Sequence, residues 1–159
     1  MHRRTFLILP LVCLTLLLVG LLPGSGRTAD RLMAIPTKHT YAQLVTRLNA
    51  AIKAEDMFVV SRASASVGAS RRGVKIPGNM VVGVFRNDFA VRMLNASVSA
   101  GIEAPIRFYV TENADGTGTL RYRWPSTVFA RHDGGPALIA LGRELDRIWE
   151  AIANRAVKG

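Results

Sequence analysis

The period of the apolar positions changes repeatedly between Asn79 and Trp124. Met80-Val81-Val82-Gly83-Val84-Phe85 is a β-branched apolar run and predicts a strand. Asn87 to Ser97 then carries Phe89, Met93 and Leu94 at helical spacing. From Pro105 the period drops to two: Ile106, Phe108 and Val110 share one face of a strand, and Arg107, Tyr109 and Thr111 share the other. After the turn residues Asn113 to Gly118, Leu120, Tyr122 and Trp124 alternate with Arg121 and Arg123. The segment therefore predicts strand, short helix and hairpin, with one apolar and one basic hairpin face.

The flanking sequence supplies further elements. Arg31 to Ile35 alternates weakly and predicts a short first strand that stops at Pro36. Thr40 is placed to cap a helix from Tyr41 to Glu55, because Tyr41, Leu44, Val45, Leu48 and Ile52 fall on one side. Met57 to Ser61 reads as a strand, and Ala63 to Gly73 is a Ser/Ala/Gly segment ahead of a Pro77-Gly78 turn. Asn87 or Asp88 is expected to cap the central helix, with Gly101 just past its end. Asp133-Gly-Gly-Pro136 introduces a last helix, about residues 136–157, with Leu138, Leu141, Leu145, Ile148, Trp149 and Ile152 as its buried stripe.

The first residues change the picture from fold to destination. Met1-His2-Arg3-Arg4 is basic, and Phe6 to Leu22 is apolar apart from Thr15, which is the pattern of a secretory leader. Residues 1–29 are read as that leader, cut after Gly26 or Ala29, with an uncleaved membrane anchor as the other reading. Arg3-Arg4 also resembles a twin-arginine export signal, although a generic basic start is the plainer reading. Residues 30–159 then form a single domain in the periplasm, or one anchored and facing it. The whole chain carries a formal charge of +10. Without the leader, 18 basic groups stand against 11 acidic ones, a formal charge of +7.

That charge suits anionic headgroups, envelope polyanions or acidic small molecules. Nucleic acid is not predicted as a partner, since export removes it from reach and no recognition motif for it is present. The single cysteine, Cys13, lies in the leader, so disulfides, thiolate catalysis and cysteine-ligated metal are excluded from residues 30–159.

Chemistry is sparse. Arg107, Arg121 and Arg123, with Tyr109 beside them, are the candidate ligand-binding residues, because a hairpin register that brings them together makes a cationic face. A solvated sheet face or a dimer surface is the plainer reading. Ser70, Arg71, Arg72 and Lys75 form a second candidate, an anion nest in a flexible basic turn. No catalytic residue, metal ligand set or cofactor is predicted. His39 and His132 lack partners at ligand spacing, His132-Asp133 can hold an orienting hydrogen bond, and Met33, Met57, Met80 and Met93 sit among core residues. Gly116 and Gly118 belong to a hairpin turn rather than a dinucleotide fingerprint, Ser70 is not in a nucleophile elbow, and the Asn95-Ala-Ser97 sequon lies on a predicted helix.

The order of several short motifs resembles the small domains catalogued as domain of unknown function 302. They are Thr40-Tyr41, Asp56-Met57-Phe58-Val59-Val60, Val84-Phe85 with Asn87, Pro105-Ile106-Arg107-Phe108-Tyr109-Val110, Gly116 and Tyr122, within roughly residues 37–131. The resemblance implies a single α+β domain, helices packed on an antiparallel or mixed sheet, often paired as a homodimer. It brings no reaction, cofactor or catalytic residue. The chain departs from the family pattern in lacking a histidine between Ser61 and Ser70, and in reading Arg86-Asn87-Asp88 where Gly-Asn-Pro is usual. The leading expectation is an exported, non-enzymatic binding or interaction module for an anionic ligand. The alternatives are a metal-handling or redox-associated envelope protein using His39, His132 and methionines, and a hydrolase whose site is assembled from distant residues.

Overall fold

The structure is a computed structural model that describes residues 32–158. The leader expected over residues 1–29 lies outside the described residues. Five strands, β1 (Leu32–Thr40), β2 (Phe58–Ala63), β3 (Asn79–Phe85), β4 (Ile106–Glu112) and β5 (Thr117–Arg123), form one antiparallel sheet in the order β1-β5-β4-β3-β2. The helices are α1 (Tyr41–Ala54), α2 (Ala65–Ser70), α3 (Asn87–Ala96), α4 (Pro125–Phe129) and α5 (Gly135–Lys158), with a 3-10 turn over Ser99–Glu103. This is the α+β architecture, and among the described residues no helix is long and apolar enough to cross a membrane.

The core lies between the sheet and α1, α3, α4 and α5. Val82, Val84, Phe108, Val110, Leu120 and Tyr122 point into it from the strands, as two-residue alternation requires. Leu44, Leu48 and Ile52 of α1, and Leu141, Leu145, Trp149 and Ile152 of α5, meet them from above. The Trp149 ring stacks on Phe108 at 5.6 Å between centroids and 10° between planes, and Phe108 in turn tilts against Tyr122 at 5.3 Å. Arg92 of α3 joins Glu144 of α5 at 2.7 Å, and that bond holds the Glu144 carboxyl below the usual carboxylate range.

Local chemistry explains the boundaries. Thr40 caps α1 as expected: its hydroxyl accepts from Gln43 N–H while the Gln43 side chain accepts from Thr40 N–H, a reciprocal capping box. β1 does not stop at Pro36. It is an edge strand that pairs only with β5, where a missing N–H is tolerated, and the register shifts between Pro36 and Thr40. The Ser/Ala/Gly segment contains α2, whose first turn is capped by Ser64. At α3 the capping position is Arg86, which makes no side-chain cap and instead clasps Asp88 at 2.7 and 2.9 Å. Gly101 lies inside the 3-10 turn, five residues beyond the end of α3 at Ala96.

Trp149 supplies the test of this packing. It is almost wholly buried, and its indole Nε1 meets no hydrogen-bond acceptor among the described residues. Trp149→Ala removes the ring stacked on Phe108 and is expected to cost about 3–5 kcal/mol. Trp149→Phe keeps most of the apolar contact and gives up no hydrogen bond, so chemical denaturation should show a much smaller loss, under about 2 kcal/mol.

Candidate functional site: a cationic cavity on the open face of the sheet

The helices cover one face of the sheet, and the other carries the basic side chains. In the β4/β5 pairing Tyr109 stands opposite Arg121, Arg107 stands opposite Gly83 of β3, and Arg123 stands opposite Leu32 of β1. Strand twist and register bring all four sequence-predicted residues, Arg107, Tyr109, Arg121 and Arg123, to the wall of one cavity of about 360 Å³. Leu32, Val81 and Val128 supply apolar wall, and Glu103 supplies a carboxylate. Arg121 is steadied by donating to the Thr111 hydroxyl across the hairpin. Among the described residues three guanidiniums and one carboxylate line the cavity, and planar N–H forks suit two-point contact with a carboxylate or phosphate.

Two local features shape this wall. Gly116, with φ at +81°, makes the β4/β5 turn in a conformation open to glycine, and Asp115 closes it by accepting from Thr117 N–H at 3.0 Å. The Thr117 hydroxyl, which also donates to Asp115, and then that N–H hold the Asp115 carboxyl below its usual range. Gly83 has no room for a side chain, since a Cβ there would lie 2.1 Å from Ser61 Oγ and 2.7 Å from Pro105 Cγ. Pro105 therefore rests directly on β3, carrying the neighbouring Glu103 to the cavity. Tyr122 lines the cavity too, although it is almost wholly buried. Burial first, then Glu150 and Asp146, pushes its hydroxyl up to about 12, so it stays neutral at any ordinary pH.

Glu103 does not stand alone. Its Oε1 lies 3.0 Å from His132 Nε2, and His132 Nδ1 lies 3.3 Å from Ser99 Oγ, which is 3.0 Å from Ser97 Oγ. The sequence suggests Asp133 as the orienting partner of His132; the fold supplies Glu103 instead, 29 residues earlier in the chain. No pattern in the sequence pointed to this cluster, because its members meet only when the 3-10 turn packs against α4.

Comparison with known proteins adds the family. The model for the domain of unknown function DUF302 matches residues 33–152. The chain belongs to the DUF302 family. A crystal structure of an uncharacterized conserved protein DUF302 from Bacillus stearothermophilus superposes with a TM-score of 0.69. It is 18% identical, with 79% of this chain and 97% of that one covered, a likeness that shows the fold. No curated protein matches the chain.

The other candidate residues of this DUF302 domain lie apart from the cavity wall. Ser70 ends α2, and the following amides are engaged by that helix: Arg72 N–H donates to Ala69 O, Gly73 N–H to Ser70 O and Val74 N–H to Ala69 O, at 2.9 to 3.0 Å. Arg71, Arg72 and Lys75 are exposed around this helix C-terminus. His39 borders a separate hollow with Gln43, Thr46 and Arg47. Met57 and Met93 are buried, while Met33 and Met80 pack against the core. Among the described residues no three His, Cys, Asp or Glu side chains gather as a metal site.

The contact of Pro105 on Gly83 is open to direct test. Gly83→Ala must displace Pro105 or Ser61, and overpacking of this kind is expected to cost about 1–3 kcal/mol. Urea unfolding measures it, and a variant as stable as the parent would show that the cavity wall does not depend on this close approach.

Proposed function

We propose that this DUF302 chain is an exported binding domain that takes a small anionic ligand in the cavity lined by Arg107, Tyr109, Arg121 and Arg123. The observation that carries the reading is the convergence of those four side chains on one concave wall of the open sheet face. The leader pattern supports export, and the excess of basic residues supports attraction of anions from a distance. The apolar wall of Leu32, Val81 and Val128 suits the body of an organic acid or organic phosphate better than a bare inorganic ion.

Hydrogen bonds to charged groups contribute about 1.5–3 kcal/mol each, so removing two guanidiniums should weaken binding at least tenfold. Isothermal titration calorimetry of a panel comprising phosphate, citrate and phenyl phosphate is expected to give a saturable heat with at least one member. The heat should weaken as salt rises, because the cavity is open to solvent. Arg121→Ala with Arg123→Ala should abolish it and leave the melting temperature within a few degrees. Equal binding by the parent and the double variant would contradict the assignment.

A further inference from the structure

We propose that Ser99, His132 and Glu103 form an acyl-transfer site beside the cationic cavity, acting on small carboxylic esters that carry an anionic group. Both ring nitrogens of His132 are committed. Nε2 faces the Glu103 carboxylate at 3.0 Å and Nδ1 faces the Ser99 hydroxyl at 3.3 Å. A neutral imidazole serves an ionised carboxylate only with its proton on Nε2, which leaves the Nδ1 lone pair directed at Ser99. Ser99 then donates to His132, and Ser97, 3.0 Å away, donates to Ser99. The hydrogen bonds run in one direction from Ser97 through Ser99 and His132 to Glu103.

Exposure is graded to suit the chemistry. The His132 and Glu103 side chains are 13% and 16% exposed, so base and carboxylate are shielded from water. Ser99 is exposed and open to a substrate. A serine hydroxyl, a base in reach of it and a carboxylate orienting that base is the arrangement that makes an alcohol nucleophilic. Glu103 also lines the cavity of Arg107, Arg121 and Arg123, so the acyl site adjoins cationic groups. The anionic group in the substrate rests on the ligand reading above; the acyl chemistry does not.

The reaction is hydrolysis. Ser99 Oγ bonds to the ester carbonyl carbon while its proton passes to His132 Nδ1, and the resulting imidazolium is held by Glu103. The bond from carbon to the alcohol oxygen breaks, and the alcohol leaves with that proton. Water then adds to the acyl-serine, giving its proton to Nδ1, and the carboxylic acid departs as the Ser99 hydroxyl is restored. Ser99 and His132 are the catalytic residues, and Glu103 is a positioning residue.

The full chain treated with an uncharged fluorophosphonate should gain one adduct by intact mass, located on Ser99. Ser99→Ala, a change at an exposed position, should abolish the adduct. Glu103→Gln keeps an acceptor for His132 Nε2–H and the melting temperature, yet should slow labelling at least tenfold, an effect that a purely structural tie would not produce. An unlabelled parent chain, or Ser99→Ala labelled at the parent's rate, overturns the acyl-transfer site and leaves the ligand reading standing. For substrate class, the parent should hydrolyse a p-nitrophenyl ester of a dicarboxylic acid at least tenfold faster than p-nitrophenyl acetate, and Arg121→Ala should erase that preference. Labelling without the preference overturns the substrate class.

Discussion

The register of β4 against β5 is the constraint on which the rest of the structure depends. Phe108 lies opposite Tyr122, Tyr109 opposite Arg121 and Val110 opposite Leu120. A slip of one residue would move Phe108 and Val110 to the open face relative to their partners and send arginines toward the helices. The turn at Gly116 and the Asp115 contacts to Thr117 fix this register through local contacts. On one face it yields a continuous apolar layer, and on the other it yields a cluster of cations.

The two faces then have different fates. The apolar face is sealed by α1 and α5, with Phe108 stacked on Trp149 as the contact between sheet and longest helix. Burial on that side supplies the stability that lets the other side remain uncovered. The open face keeps side chains that a packed interior would reject: guanidiniums from neighbouring strands and a carboxylate carried in on the 3-10 turn. Gly83 links the faces, because its missing side chain admits Pro105 and thereby places Glu103 where both the cavity and His132 can reach it.

How much of this could be read from the sequence follows from the range of each interaction. The strands β3, β4 and β5, helix α1 with its Thr40 cap, and α5 are written in local periodicity and were legible to within a few residues. That Arg107 and Tyr109 share one strand face, and Arg121 and Arg123 another, was legible from the alternation, but the register that brings the two pairs together is set by the turn and the strand pairing. Pro36 misled because a proline stops a central strand but not an edge strand, and edge position is a property of the sheet. The short helix α2 hides in a Ser/Ala/Gly tract whose propensities favour no single state. Ser99, Glu103 and His132 were illegible for a different reason: they are contributed by a 3-10 turn and the segment after α4, and only tertiary packing makes them neighbours.

The most direct test of the central claim, that the hairpin register gathers cations into one ligand-binding cavity, is a set of two-dimensional NMR spectra of the arginine Nε–Hε groups recorded during titration with phenyl phosphate. The account predicts that the signals of Arg107, Arg121 and Arg123 shift together along one saturation curve, while those of Arg47 and Arg155, which bond elsewhere, stay in place. Shifts spread evenly over all the arginines, or confined to Arg71 and Arg72, would contradict it.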